Sequence, residues 1–332
     1  MRNLITDVAG LAVGHAHDDE AATGVTVAVF DAPTVASVAV LGGGPGGRDT
    51  GLLEPEMTVE HVDAILLSGG SAWGLGAADG AMAALAARGR GFKVGASRIP
   101  IVPQAILFDL GVGGDKPWTR GEGFPPHREL AAQAVAAAGA DFALGTAGAG
   151  FGATTQNLKG GIGSASARIA TGHVVGALVA VNAVGRATIG DGPHFWAAPY
   201  EQGEEFGGLG WPVRIAAGDL ELHYKGGTSQ NTTIALVATD AVLTKAQCKR
   251  LALAAHDGLA RALRPVHAPL DGDTVFAAAT GRAGAPSDAY ALTELCAGAA
   301  DVLARAVARG VHAATALPGP NALASWRDRF GG

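Results

Sequence analysis

The chain has 332 residues, of which 48% are hydrophobic, so it can bury the core of one large domain or two ordinary ones. Its net charge of -6 excludes the basic footprint of a nucleic-acid-binding protein. Neither a signal-peptide core nor a membrane-spanning apolar run is present, so we expect a cytoplasmic protein without a membrane partner. Charged residues make up only 16% of the chain, which indicates that other subunits cover part of its surface.

The N-terminal part of the chain predicts a hairpin and a glycine turn. Residues 23–30 and 34–41 are strand-like, and the turn residues 31–33 separate them. The glycine-rich run 42–47 is close to a phosphate-loop pattern, but Arg48 and Asp49 stand where Lys and Ser or Thr are required. We therefore reject a nucleotide site and expect a turn whose backbone passes close to another segment.

A strand and a small-residue helix follow. Residues 64–68 form a short apolar strand, and a helix is predicted over 72–87 with Ser71 as its N-cap. Ser71 has a glycine two residues before it but not two residues after it, so it does not match a nucleophile elbow. The irregular apolar stretch 95–114 is expected to line a cleft or an interface, and a second helix is predicted over 128–138.

Two polar residues stand out in the middle of the chain. Lys159 is a cation in an otherwise charge-free, glycine-rich run over residues 142–167, although a solvated loop lysine is the ordinary alternative. Asn182 interrupts the apolar strand predicted over 173–184. A buried amide needs partners, so Asn182 either donates to an oxyanion in a cleft or has a structural bonding role.

A loop-to-strand junction forms the most informative stretch of the sequence. Residues 189–226 are expected to form a long, exposed and mobile excursion. A small polar run then leads into an apolar strand that ends at Asp240, with Thr232 and Thr233 at the junction. A cut before Thr232 would place a new α-amine, which titrates near ~8, beside the threonine hydroxyl as its base. An ordinary strand boundary is the alternative, because threonine is common in strands.

The C-terminal part predicts two helices around one strand. Thr244 is the expected N-cap of a helix to about residue 263, and Ser287 that of a helix to about residue 309, with a strand over 274–279 between them. Asp271 and Asp273 flank a glycine just before that strand. They form either a common turn or an acid pair that orients a catalytic site.

No cofactor or metal site is predicted from the sequence. Cys248 and Cys296 lie in helix-like segments and are expected to be small buried residues of a reducing compartment. His15 and His17 are spaced to share one face of a strand, but the sequence places no third ligand beside them.

Several separated motifs together resemble the DmpA-type peptidases, family S58, from about residue 5 to about residue 315. This family of autoprocessing hydrolases includes D- and L-aminopeptidases, β-peptidyl aminopeptidases and nylon-oligomer endohydrolases. The motifs occur in the family's order, which makes the set more specific than any one of them. They are the glycine run 42–47, Leu67-Ser68-Gly69-Gly70-Ser71-Ala72-Trp73-Gly74, Ile99-Pro100-Ile101-Val102-Pro103 and Gln230-Asn231-Thr232-Thr233-Ile234.

The resemblance implies the fold and the processing of the chain. The expected fold is a single four-layer αββα sandwich over residues 1–332, similar to that of N-terminal-nucleophile hydrolases but with different strand connectivity. The precursor is expected to cut itself between Asn231 and Thr232 into an α fragment, residues 1–231, and a β fragment, residues 232–332. The family also implies a homo-oligomer, such as a tetramer of αβ units.

The resemblance also implies the catalytic residues. Thr232 matches the nucleophile, Lys159 and Asn182 match the cleft lysine and asparagine, and Asp271 and Asp273 match the paired acids of the nylon-oligomer branch. The two acids are expected to hold Thr232 and Lys159 in place. The implied activity is hydrolysis of 6-aminohexanoate oligomers or related peptide-like amides through an acyl-enzyme.

Other functions remain open from the sequence. One alternative is an L-, D- or β-peptidyl aminopeptidase of the same family. It could also be an acyltransferase, like the related ornithine acyltransferases, or an assembly protein that keeps the fold without activity.

Overall fold

The computed structural model describes residues 1–225, 231–319 and 322–331. The strands are β1 (Leu11–Asp18), β2 (Thr23–Val40), β3 (Gly47–Arg48), β4 (His61–Ser68), β5 (Phe92–Val94), β6 (Ser97–Ile99), β7 (Gln104–Ile106), β8 (Ile162–Arg168), β9 (Val174–Ala180), β10 (Ile234–Thr239) and β11 (Thr274–Ala279). The α-helices are α1 (Ala77–Ala87), α2 (His127–Ala136), α3 (Lys245–Ala262), α4 (Ala289–His312) and α5 (Trp326–Phe330).

Strand β2 is long enough to belong to two layers. The main sheet has the order β3-β7-β4-β2-β11-β10-β9-β8, with β1 pairing beside β2, and β5 and β6 form a separate hairpin. The first half of β2 pairs with β1 and with most of β4, whereas its second half pairs with β11 and, at Thr34 and Val35, with the start of β4. The strand therefore carries the chain from one half of the sheet to the other.

The predicted hairpin turn at residues 31–33 is wrong. The chain continues through these exposed residues as one strand, and the pairing with β4 changes register between Val29 and Thr34. A bulge tolerates Pro33 because no ladder hydrogen bond is required from its nitrogen. The hairpin that β2 does form connects it to β1.

Three buried apolar clusters define the layers. One cluster lies between α1 and α2 and the outer face of β2 and β4. A second lies between the two halves of the sheet and includes residues of β1, β2, β4, β9, β10 and β11. The third lies between β8–β11 and helices α3 and α4. Helices, two sheet layers and helices again give the αββα order that the resemblance implies.

Several local predictions are confirmed and others need correction. Thr244 caps α3 by accepting a hydrogen bond from Gln247 N, as expected. The cap of α4 is Asp288 rather than Ser287, because the Asp288 side chain accepts from Ala291 N. Ser71 is also not an N-cap: it starts a 3₁₀ helix with a φ of 52° and forms no side-chain cap.

The excursion over residues 189–225 is not simply an exposed loop. Within the described residues it contains 3₁₀ turns, and Phe195 and Phe206 are buried in the cluster under α4. Strand β8 and the short helix α5 were not predicted. Of the helices that the structure describes, none combines the length and apolarity that crossing a bilayer requires.

The strands that follow residue 231 are inserted among strands that precede it. β10 lies between β9 and β11, and β11 lies between β10 and β2. The C-terminal part of the chain thus supplies two central strands, and the pair hydrogen-bonds on either side to strands of the N-terminal part.

Candidate active site

Thr232 lies just before β10, in a buried position between two loops. The residue is only 4% exposed, and its main-chain N–H donates to Asn182 O at 3.0 Å. The preceding residue, Asn231, forms a parallel β-bridge with Asp271. Residues 226–230 of the junction motif lie outside the described residues. The predicted nucleophile is therefore held by the loops that follow β9 and precede β11.

The carbonyl oxygen of Asn231 receives two donors. One is the Thr232 hydroxyl, which donates a hydrogen bond to it, and the other is the Gly272 N–H at 3.0 Å. The hydroxyl thus lies beside the carbonyl of the peptide bond that precedes its own residue. The Gly272 N–H is positioned where it can stabilise negative charge on that oxygen.

The site leaves no room for a side chain at residue 272. A Cβ there would come within 2.8 Å of Thr232 Oγ1 and 2.9 Å of Gly44 O. Likewise, a Cβ on Gly42 would lie 2.3 Å from Asp273 N. The glycine run 42–44 therefore passes directly along the Asp271–Asp273 loop, which confirms the close backbone approach expected of it.

Lys159 is fully buried, and main-chain carbonyl oxygens surround its ammonium group. The residue is 1% exposed, and Nζ donates to Gly150 O at 3.0 Å, Ala153 O at 2.8 Å and Gly160 O at 2.7 Å. Three acceptors match the three N–H groups of an ammonium. Burial nevertheless lowers the pKa of Lys159 to about 7, helped by the charge of Lys225. The solvated-loop alternative is excluded.

The Asn182 amide is fixed in one orientation. Oδ1 accepts from Thr154 N and from Lys225 Nζ, both at 3.1 Å, and Nδ2 donates to Phe108 O at 3.0 Å. Two donors face the oxygen and an acceptor faces the nitrogen, so the opposite orientation would lose all three contacts. Asn182 lies two residues beyond the end of β9 rather than within the strand. The phenylalanine contact also brings the apolar stretch 95–114 to the site, as expected.

The two acids have different partners. Asp273 accepts from Thr233 N at 2.8 Å through Oδ1 and from His267 Nδ1 at 2.8 Å through Oδ2. Asp271 accepts from Ala268 N at 3.2 Å. Burial and the charge of Asp273 raise the pKa of Asp271. Asp273 therefore anchors the start of β10 through the second threonine of the pair.

The expected contacts between these acids and Lys159 need correction. The carboxylate whose charge favours the protonated form of Lys159 is Asp109, which the sequence analysis did not single out. Asp109 is fully buried and accepts from Thr23 Oγ1 at 2.6 Å and from Gly70 N at 2.8 Å. Thr23 in turn contacts His127 Nε2 at 3.0 Å. The sequence feature that could have identified Asp109 is its position as an acid within the apolar stretch 95–114.

Lys225 is the second residue that the sequence analysis missed. It lies at the end of the 189–225 excursion, is half-buried, and donates to Thr154 O at 2.6 Å as well as to Asn182. Burial lowers the pKa of Lys225 to about 7, against the opposing charge of Asp271. The local sequence did not indicate this role, because Lys225 simply precedes a glycine pair in an irregular segment.

The histidines and cysteines singled out in the sequence have other roles. His15 contacts Thr26 Oγ1 at 2.9 Å, and His17 stacks on Phe151 with ring centroids 4.4 Å apart. Cys248 is buried and Cys296 half-buried, and both are free thiols. Across the described part of the chain, no group of three or more His, Cys, Asp or Glu residues could hold a metal ion.

Comparison with known proteins identifies relatives over almost the whole chain. Residues 3–324 match the model of peptidase family S58. An "uncharacterized aminopeptidase" of Mycobacterium tuberculosis is 44% identical over 351 residues, which cover 99% of this chain and 98% of the relative. The 6-aminohexanoate-oligomer endohydrolase of Paenarthrobacter ureafaciens is 27% identical over 292 residues, covering 82% of this chain and 74% of that enzyme.

Solved structures share the fold. A β-aminopeptidase of a Burkholderia species superimposes with a TM-score of 0.70 at 24% identity and covers 99% of this chain and 92% of its own. The L-aminopeptidase D-Ala-esterase/amidase of Ochrobactrum anthropi, described as a variant of the Ntn-hydrolase fold, gives a TM-score of 0.69 at 20% identity, covering 99% and 94%. The predicted Ntn-hydrolase-like fold is confirmed.

Proposed function

Because the chain belongs to peptidase family S58, we propose that it is a self-cleaving amidohydrolase whose nucleophile is the hydroxyl of Thr232. The observation that carries the proposal is the pair of donors on the Asn231 carbonyl oxygen, the Thr232 hydroxyl and the Gly272 N–H. A hydroxyl beside the preceding carbonyl, with a second donor on its oxygen, is the arrangement that attack on this peptide bond requires.

Self-cleavage then proceeds in two steps, formation of an ester and its hydrolysis. Thr232 Oγ1 adds to the carbonyl carbon of Asn231, and the Gly272 N–H stabilises the negative charge on the oxygen. The C–N bond breaks, the nitrogen takes up the hydroxyl proton, and an ester joins Asn231 to the threonine oxygen. Water hydrolyses this ester, which leaves a carboxylate on Asn231, a free α-amine and hydroxyl on Thr232, and a proton that the solvent takes up.

The released α-amine serves as the base in the mature enzyme. Its nitrogen is the atom that already donates to Asn182 O at 3.0 Å, so the amine stays beside its own hydroxyl. We propose that the positive charge of Lys159, which is buried and interacts with the charge of Lys225, disfavours protonation of the amine, whose ordinary pKa is near ~8. We assign stabilisation of the substrate oxyanion to the Asn182 amide, whose nitrogen also donates to Phe108 O, together with the Gly272 N–H.

The substrate class follows from the relatives and from burial. Relatives that are 44% identical are called aminopeptidases, so we propose peptides and aminoacyl amides as the first substrates to consider. Thr232 is 4% exposed in the uncut chain, and a substrate can reach it only once Asn231 is displaced. Self-cleavage is therefore required for turnover.

A second substrate class is 6-aminohexanoate oligomers. It is favoured by the combination of a threonine nucleophile with Asp271 and Asp273, and by relatives at 27% identity that are named for that activity. A panel of L- and D-aminoacyl amides, β-peptides and aminohexanoate oligomers separates the two classes. An added amine acceptor in the same assays measures acyl transfer against hydrolysis.

Intact mass and N-terminal sequencing test the proposal directly. We expect two fragments, with the second beginning at Thr232. Thr232→Ala should remain one chain without amidase activity, whereas Thr232→Ser should retain part of both reactions. A single uncut chain that hydrolyses amides, or a cut at another bond, would refute the assignment.

A further inference from the structure

We infer that Lys225 is a positioning residue for self-cleavage, acting on Thr232 through Asn182. The inference rests on the proposed function, because it concerns the efficiency of the same cut. Lys225 lies in the N-terminal fragment, shortly before the Asn231–Thr232 bond, and its side chain turns back into the site.

Lys225 is held both at its main chain and at the tip of its side chain. Its main-chain N–H donates to Val184 O at 3.1 Å, and Nζ donates to Thr154 O at 2.6 Å and Asn182 Oδ1 at 3.1 Å. Val184 and Asn182 both belong to the segment that follows β9. The lysine therefore bridges this segment to the loop that carries Thr154.

Asn182 and Lys225 both bind the main chain of Thr154. The N–H of Thr154 donates to Asn182 Oδ1, and the carbonyl of Thr154 accepts from Lys225 Nζ. The Asn182 oxygen thus has two donors, and removal of the lysine takes away one of them. Because an amide oxygen has two lone pairs, the remaining contact fixes its direction less strictly.

The main chain of Asn182 connects this arrangement to the nucleophile. Asn182 O accepts the N–H of Thr232 at 3.0 Å, and this nitrogen becomes the leaving group of the cut. A shift of the Asn182 segment therefore moves the nitrogen of the scissile bond. Small displacements of reacting groups cost large factors in rate.

Lys225 also contributes charge to the site. Its cation lowers the pKa of Lys159, while Asp109 acts on Lys159 in the opposite direction. Asp271, which lies beside Asp273 and His267, favours the protonated form of Lys225 itself. Removal of the Lys225 charge should raise the pKa of Lys159. If the protonation of Lys159 controls the rate of cleavage, the pH profile of cleavage should shift with it.

The experiment follows self-cleavage of freshly synthesised full-length chain by intact mass at pH values on both sides of about 7, where both lysines titrate. Lys225→Met should cleave about tenfold more slowly than wild type at neutral pH, with a shifted pH profile. Lys225→Arg should recover most of the rate, because the guanidinium also donates. Lys93→Met, at an exposed position on β5, is the matched control and should cleave as wild type.

Folding is measured separately by thermal unfolding of each Lys225 variant in the uncleaved Thr232→Ala background. If Lys225→Met is unfolded, the decision passes to the pH profile of Lys225→Arg, because arginine keeps its charge across this range. A pH profile that differs from wild type supports the inference, and a wild-type rate with a wild-type pH profile overturns it. Wild-type cleavage by a folded Lys225→Met, with an unchanged pH profile, also overturns the inference but leaves the proposed function intact. A wild-type chain that never cuts overturns both.

Discussion

Gly272→Ala tests whether the Asn231 carbonyl is the group attacked in self-cleavage. The alanine Cβ would lie 2.8 Å from Thr232 Oγ1, 3.0 Å from Thr232 Cγ2 and 2.9 Å from Gly44 O. Two of these atoms belong to Thr232, the proposed nucleophile, and the third belongs to the main chain of a neighbouring loop, so relief of the overlap must move Thr232 or the residue 272 N–H. Both supply donors to the Asn231 oxygen.

The size of the effect follows from the lost donor. Removal of one oxyanion donor costs about a hundredfold to a thousandfold in rate, and we expect self-cleavage to slow by a factor in that range. Overpacking of a buried site also costs about 1–3 kcal/mol, so a modest drop in the free energy of unfolding is expected. The change in rate should exceed what this destabilisation alone produces.

The assay follows the intact mass of the newly made chain over time. Gly284→Ala is the matched control, because residue 284 lies in the same fragment, is exposed, and would place its new Cβ in open space with no neighbouring atom within 4 Å. The control should cleave at the wild-type rate. Cleavage of a folded Gly272→Ala chain at that same rate would refute the assignment of the 272 N–H as an oxyanion donor.

Three further predictions concern an acid, a buried lysine and the junction of the two fragments. Asp273→Asn should lower the free energy of unfolding by about 1–3 kcal/mol in urea denaturation, because one amide oxygen cannot replace both acceptors used by Thr233 N and His267; an unchanged midpoint contradicts this. The pKa of Lys159 falls from its ordinary value of 10.5 to about 7 in the folded chain, so the unfolded chain holds an extra proton between these values. The stability of Thr232→Ala should therefore rise with pH across that window, by up to about 1.4 kcal/mol per unit from Lys159, and fall toward pH 7. Adding Lys159→Met should reduce the slope by this amount and leave the part that comes from Lys225, whose pKa is also lowered to about 7; an unaltered slope argues against a lowered pKa of Lys159. Lys245→Met should let the cut fragments separate at lower urea in size-exclusion runs, because Lys245 Nζ donates to the Leu52, Met57 and Val59 carbonyls. Lys249→Met is the control, because it removes only a partly exposed ion pair with Glu54 across the same junction, and equal dissociation of the two variants refutes the idea.

The sequence predicted the buried site best where a residue contrasted with its local surroundings. Lys159 stood out as a charge in a charge-free run, and the threonine pair stood at a change of composition. Lys225 could not be found in this way, because its partners Asn182 and Thr154 are 43 and 71 residues away along the chain. Contacts of that range depend on how the layers stack, which local patterns do not contain.

Local turn signals also misled where pairing across the sheet decides the structure. Residues 31–33 have turn chemistry, but β2 continues through them because partners on β4 and β11 extend the strand on either side. Adjacent capping residues gave a smaller error, since Ser287 and Asp288 are both good caps and only the geometry selects the aspartate. In the first case pairing across the sheet overrode the turn propensity of residues 31–33. In the second case the capping propensities of the two residues are too similar to decide between them.

The insertion of β10 and β11 among earlier strands has a consequence for the timing of maturation. Thr232 leaves the ribosome well before Gly272 and Asp273, yet these two residues hold the Asn231 carbonyl and the Thr233 amide on either side of it. A nascent chain that stops short of β11 thus has the scissile bond but not the groups that act on it. The proposed cut can occur only after the two fragments are already joined in one sheet, so synthesis releases a completed fold rather than two loose pieces.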